Sequence, residues 1–300
     1  MTSPAAPLRS LPTISAARRR KDKAARSIVA VLTGLALVPL ALVLFYLFQQ
    51  GLGAWSVDFF TTDPTGRSCF PGQTSCDIGG VRSAIVGTVE IIALASAFAI
   101  PLGIAVAVYL VEYGKKTKFA NTVRYFVDVM TGVPSIVFGL FVYIVLVVAG
   151  IGGSWGAWKG SVALALLMLP IVVRSSEVVL NLVPDQLRES ALALGSPRWK
   201  VITSVVLPTA RSGLITGSLL AVARAAGETA PLLFTAFGAA ELTFGLSGQM
   251  NSLPLQIFND VRAPQDAIVQ RAWGAALLLV LMILALNLIA RLAQRRSKIS

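Results

Sequence analysis

The sequence predicts an all-α membrane protein with six transmembrane helices, and three observations carry that prediction. Hydrophobic residues make up 55% of the 300-residue chain and charged residues only 13%, giving a mean hydropathy of +0.75. Such a composition lies outside the usual range of a water-soluble domain. Uncharged apolar stretches recur at roughly 20 residues, the length a helix needs to cross a hydrocarbon core of about 30 Å. The basic residues cluster beside alternate stretches, as a fixed membrane orientation requires.

The first apolar stretch, Ile28 to Phe48, follows the basic segment Arg18-Arg19-Arg20-Lys21-Asp22-Lys23. It is too long for a signal-peptide core and no small-x-small cleavage site follows, so it reads as a retained span. The remaining spans are Ala84 to Leu110, Phe126 to Gly150, Ser161 to Leu182, Ser212 to Phe237 and Ala272 to Ala290. With the N-terminus inside, seven basic residues fall in the first tail, four around Lys115 to Arg124, four from Arg188 to Arg211 and four in the last tail. The outer segments keep Arg67, Arg82, Lys159, Arg262 and Arg271, and Arg174 and Arg224 fall within spans. The positive-inside rule therefore puts both termini in the cytoplasm.

The expected layout is a basic cytoplasmic tail over 1–27, a transmembrane domain over 28–292 and a cytoplasmic tail over 293–300. Within the domain, 49–83 is an outer loop, 184–208 a cytoplasmic loop and 239–271 an outer segment. The apolar-aromatic pattern of Met250, Leu253, Leu255, Ile257 and Phe258 suits a re-entrant piece there. Cys69 and Cys76 share the outer loop, and an extracytoplasmic position favours a disulfide over two free thiols. The formal charge of +12 belongs to segments flanking spans, with no aromatic-rich basic groove, so no nucleic-acid partner is expected. The chain has no histidine, which excludes imidazole catalysis and His-ligated zinc.

Charges inside spans cost several kcal/mol and are functional candidates by default. Glu90 and Asp128 read as structural or interfacial, Asp128 standing four residues after Arg124. Arg174 and Glu177 are three apart in the fourth span and Arg224 and Glu228 four apart in the fifth, spacings that place each pair on one helix face. A guanidinium is permanently charged and its fork fits a tetrahedral oxyanion, so two of them in a membrane favour an anion as cargo. The competing reading of these pairs is helix-to-helix packing by buried ion pairs.

The 184–208 loop begins Pro184-Asp185, suited to a helix first turn, and passes through Gly195 and Pro197, suited to its end. Glu189, Ala191, Gly195, Leu207 and Pro208 match the pattern E-A-A-x-x-x-G, then nine residues, then I-x-L-P, with Ser190 and Val205 as departures. That pattern is similar to the loop of ABC importer permeases that docks on the ATP-binding subunit. Gly227-Glu228-Thr229-Ala230-Pro231-Leu232 resembles a signature of the A-type permeases of the phosphate-specific family. Leu169 to Glu177, Thr131 to Leu140 and Gln249 to Pro254 resemble further motifs of that family, with Ser176 where a threonine is common.

The resemblance covers most of the chain from Ala84 onwards and implies a type I importer permease fold serving inorganic phosphate. It implies a sister permease subunit, two copies of an ATP-binding subunit, an extracytoplasmic phosphate-binding protein and surrounding lipid. It carries phosphate contact to Arg174 and Arg224, with Glu228 as their partner, and coupling to the ATPase to Glu189, Ala191, Gly195 and Pro208. The chain has no G-x-x-x-x-G-K-[ST] loop, so no cofactor is expected in it, and ATP with Mg would bind the partner. A permease for sulfate or molybdate, and an ATP-independent secondary transporter or channel, are the alternatives. A membrane enzyme is disfavoured by the missing histidine and the lack of a nucleophile motif.

Overall fold

The computed structural model describes residues 16–65, 78–115 and 117–296, which form helices joined by short irregular segments. Cys69 and Cys76 lie outside the described residues. Five described helices are long and apolar enough to cross a bilayer, and a bent pair makes a sixth. The first, α1 (Ala16–Gly53), carries the basic segment into the apolar one without interruption, so the predicted span is the middle of a longer helix. Residues up to Gln49 form a unit of their own. Within it Asp22 and Arg26 pair at 3.1 Å across one turn, and Ile28, Leu32, Leu35 and Leu42 are exposed, as side chains facing lipid are.

The second unit starts at Gln50. It holds the short α2 (Val57–Thr61), α3 (Arg82–Val108), α4 (Lys118–Gly132), α5 (Ser135–Val142), α6 (Ala157–Asn181), α7 (Asp185–Ala193), α8 (Arg198–Val201), α9 (Leu207–Ala226), α10 (Ala230–Thr235), α11 (Leu253–Asp260) and α12 (Asp266–Arg296). Helix α6 lies between α3 and α9 and packs against both. Half of its apolar window is buried, more than in any other described span. Ile91 and Ala95 of α3, Leu164, Met168 and Val172 of α6, and Ala221 and Ala225 of α9 form the central core.

Small residues bring these helices together. A Cβ at Gly217 would stand 2.4 Å from the Ser175 hydroxyl, and one at Gly213 would stand 2.5 Å from Val179 Cγ1. The Gly213-x-x-x-Gly217 spacing thus lets α9 lie against α6 at a separation that larger side chains would forbid, the usual route to close packing where burial from water gives no drive.

Two of the predicted spans are not straight helices. The third is broken between α4 and α5, which meet at 104°. Val133 precedes Pro134, whose ring disfavours a helical residue before it, and Val133 is extended at φ −74 and ψ 130. The fifth ends at Ala226 and resumes at Ala230. Gly227 costs helix propensity and Pro231 lacks the N–H that a continuous helix would use, so the chain opens between them. Pro208 is accommodated differently, because the turn before it, Ile202–Val206, is widened to π spacing. That spacing bonds Leu207 N–H to the Ile202 carbonyl, and the Thr209 hydroxyl donates to the Val205 carbonyl at 2.6 Å.

The 237–271 segment closes one end of the bundle and is held by buried polar contacts. The Leu253 N–H donates to the Thr88 hydroxyl at 2.8 Å. Arg271, 4% exposed, donates to both oxygens of Asp260 at 2.7 and 2.8 Å, and Gln256 donates to Asp260 at 2.7 Å. Met250, Leu253 and Leu255 are fully covered by protein. At the same end Arg82 grips Asp63 through two bonds of 3.1 and 2.9 Å, and Asp63 accepts a third from the Leu242 N–H at 3.0 Å.

Candidate functional site

Four charged side chains of α4 and α6 form one chain of ion pairs. Arg174 Nε donates to Asp128 Oδ1 at 2.8 Å and Arg174 Nη1 to Glu177 Oε2 at 2.7 Å. The second oxygen of Glu177 accepts from Arg124 Nε at 2.6 Å. Arg124 spends its other nitrogens on Asn121 at 3.1 Å and on the Leu110 carbonyl at 2.8 Å. Three- and four-residue spacings put Arg174 and Glu177 on one face of α6, and Arg124 and Asp128 on one face of α4. The two faces oppose, so each arginine finds a carboxylate across the gap. Glu177 is 9% exposed at its side chain and Asp128 56%. A carboxylate as buried as Glu177 requires its two guanidinium partners.

Arg224 stands at the end of α9 and shares a cleft with Arg174. The cleft has a volume of about 320 Å³ and is lined by both arginines together with Thr131, Val133, Pro170 and Ser175. Arg224 is 60% exposed, and its Nε lies 3.9 Å from Glu228 Oε1, beyond hydrogen-bond length. The expectation that Glu228 follows Arg224 along one helix face is corrected here, because α9 has ended and Glu228 lies in the break before α10. Two guanidinium forks on different helices, facing one opening between apolar walls, offer bidentate donors to a tetrahedral oxyanion.

At the opposite end of the bundle from α11, the predicted loop forms α7 and α8. Asp185 occupies the first turn of α7, where a carboxylate complements the helix dipole. Gly195 closes the helix with φ +80, its N–H bonded to the Leu192 carbonyl at 2.9 Å and the Ser196 N–H to the Ala191 carbonyl at 3.3 Å. This ending belongs to glycine because an L-residue there is strained. Ala191 packs beside Val183, Val201 and Val206, whereas Glu189 points outwards. Leu187 and Leu192 of α7, Leu194 just after it and Trp199 of α8 are exposed. Pro208 sits in the first turn of α9, behind the widened turn.

Sequence reasoning did not reach two pairings that hold these elements in place. Arg188 Nε bonds Glu112 at 3.0 Å and its Nη2 bonds the Leu180 carbonyl at 2.8 Å, tying α7 to the ends of α3 and α6. Neither Arg188 nor Glu112 stands out in the sequence, where Arg188 counts only towards the positive-inside balance. Arg124 is visible as the residue four before Asp128, yet its partner is Glu177 on another helix. Glu90 keeps one carboxylate oxygen buried without a hydrogen-bond partner.

A helical membrane bundle with an arginine-lined cleft and several exposed apolar side chains at one end fits an integral-membrane permease. A family model described as "Binding-protein-dependent transport system inner membrane component" matches residues 99–298. The chain is 37% identical over 275 residues to the phosphate transport system permease protein PstA of Pasteurella multocida, spanning 92% of this chain and 95% of that protein. It is 41% identical over 277 residues to the phosphate transport system permease protein PstA of Mycobacterium leprae, spanning 92% and 89%. The chain belongs to the family of binding-protein-dependent transport system inner membrane components, among the PstA-type permeases of phosphate transport systems. Two solved structures share the fold. One is a bacterial alginate ABC transporter in complex with an alginate pentasaccharide-bound periplasmic protein, with a TM-score of 0.65 at 16% identity, covering 92% of this chain and 96% of that one. The other is the inward-facing MetNI methionine ABC transporter, with a TM-score of 0.58 at 18% identity, covering 72% and 94%.

Proposed function

We propose that this chain lines the translocation path for inorganic phosphate in an ATP-driven importer, with Arg174 and Arg224 as the groups that meet the anion. The observation that carries this reading is the convergence of two arginines from separate helices on one cleft of about 320 Å³. Relatives at 37% and 41% identity are phosphate permeases, which supports phosphate over sulfate or molybdate. The chain works beside a sister permease and two ATP-binding subunits, one of them docked on α7, with an extracytoplasmic phosphate-binding protein at the α11 end. Both termini face the cytoplasm, and the partner ATPase binds ATP and Mg. Glu189, Ala191, Gly195 and Pro208 shape the docking element, and the exposed Leu187, Leu194 and Trp199 are what a partner would cover. Apolar groups left bare on a membrane protein's water-facing end favour a docked subunit over an ATP-independent transporter.

The deciding experiment is uptake of radiolabelled phosphate by the assembled transporter carrying Arg224→Gln. Uptake should be lost while assembly persists, because the anion would enter a low-dielectric constriction without a compensating charge. Arg224→Lys, which keeps the charge but not the planar fork, should retain part of it. Normal uptake by an assembled Arg224→Gln complex would make this arginine a packing residue.

A further inference from the structure

The two arginines of the cleft are not equally available. Arg224 faces Glu228 at 3.9 Å, beyond hydrogen-bond length, and is largely exposed. Arg174 is engaged on both sides, by Asp128 at 2.8 Å and by Glu177 at 2.7 Å. An anion entering the cleft therefore meets Arg224 first, and it reaches the Arg174 fork only when one of two carboxylates lets go.

Which one lets go follows from burial. Glu177 is 9% exposed and uses both oxygens, one on Arg174 and one on Arg124. Releasing it from Arg174 would leave a buried carboxylate with one of its two guanidinium partners, Arg124, a costlier break than opening an exposed pair. Asp128 is 56% exposed and reaches Arg174 from a different helix, so opening that pair does not leave a bare carboxylate enclosed by protein. Its helix, α4, runs into the 104° bend at Val133 and Pro134, and Thr131 and Val133 line the same cleft.

We infer that Asp128 is a displaceable latch on Arg174: it holds the arginine while the cleft is empty, yields it to phosphate, and competes for it again so that phosphate can leave. This inference rests on the reading that the cleft conducts phosphate. Asp128 is a positioning residue, since it acts on the anion through Arg174. Glu177 with Arg124 is the fixed pair beside it. The latch supplies the escape that a transport site requires, because an arginine that nothing else wants would keep its anion.

The test is phosphate uptake by the whole transporter in proteoliposomes, with KM and kcat measured separately. Asp128→Asn removes the competing charge and keeps the shape, so KM should fall by about two- to fivefold, the range of an exposed ion pair, and kcat should fall because release slows. Asp128→Glu restores the competitor and should return both towards the wild type. A purely structural Asp128 would not lower KM. An Asp128→Asn transporter with wild-type KM, or one that fails to assemble, overturns the inference. Arg174→Gln separates this from the reading beneath it. If that variant transports normally, the cleft is not the path and both fall. If it is inactive while Asp128→Asn keeps the wild-type KM, only the latch falls.

Discussion

Asp63 illustrates how far a single residue can be reasoned about once its neighbours are known. The Arg82 guanidinium bonded to it, helped by the Leu242 N–H, holds its carboxyl below the ordinary value, against the opposing effect of burial. A group whose folded-state pKa is depressed contributes stability above its ordinary value and loses that contribution as pH falls through the folded one. The clasp between the start of α3 and the 237–271 segment should therefore be intact at neutral pH and weaken below about pH 4. Thermal unfolding of the purified protein should show this loss, and Asp63→Asn should flatten the acid limb of the curve. An unchanged limb in that variant would remove the clasp from the account. None of this was legible in the sequence, where Asp63 and Arg82 stand 19 residues apart. The Arg174–Glu177 pair was legible, because a three-residue spacing speaks for itself on a helix. The Asp128 and Arg124 pairings were not, because that rule says nothing about partners on another helix.

Among the elements, α7 is the one whose ending was readable in advance, from Gly195 and the proline beyond it. The structure adds the reason: φ is +80 and no atom lies within 4 Å of a Cβ built there. Any cost of substitution is then backbone strain alone, about 1–2 kcal/mol for an L-residue in that region. Gly195→Leu should insert into the membrane and lose ATP-dependent uptake, whereas Gly195→Asn, which tolerates a left-handed backbone, should keep most of it. Equal activity of the two variants in a vesicle uptake assay would mean that the turn is not needed for coupling. The broken helices were harder to read. Both carry their proline signal, at Pro134 and Pro231, but a window of apolar residues averages across a break of three or four positions. Apolarity decides whether a segment enters the membrane, and backbone chemistry decides whether it does so as one rod.

At the scale of the whole molecule, the helical spans were within reach because lipid imposes a length and a composition that recur along the chain, and the family because short stretches such as Gly227 to Leu232 resemble motifs of its members. What lies beyond a single sequence is everything made between helices, including the cleft itself. The exposure of Arg224 has a consequence for cell economy. A guanidinium on the flank of a lone bundle would sit against lipid at a cost of several kcal/mol, and only a neighbouring subunit or water in a formed path can remove that cost. An orphan copy would thus carry a charge offset only by Glu228 at 3.9 Å, which would give the membrane's quality control a means of holding the proposed subunits to a fixed ratio. In a pulse-chase measurement the chain made without its sister should decay faster than the chain made with it, and Arg224→Leu should lengthen the orphan's half-life. Equal half-lives for the paired and orphan chains would show that the assembly is not policed through this residue.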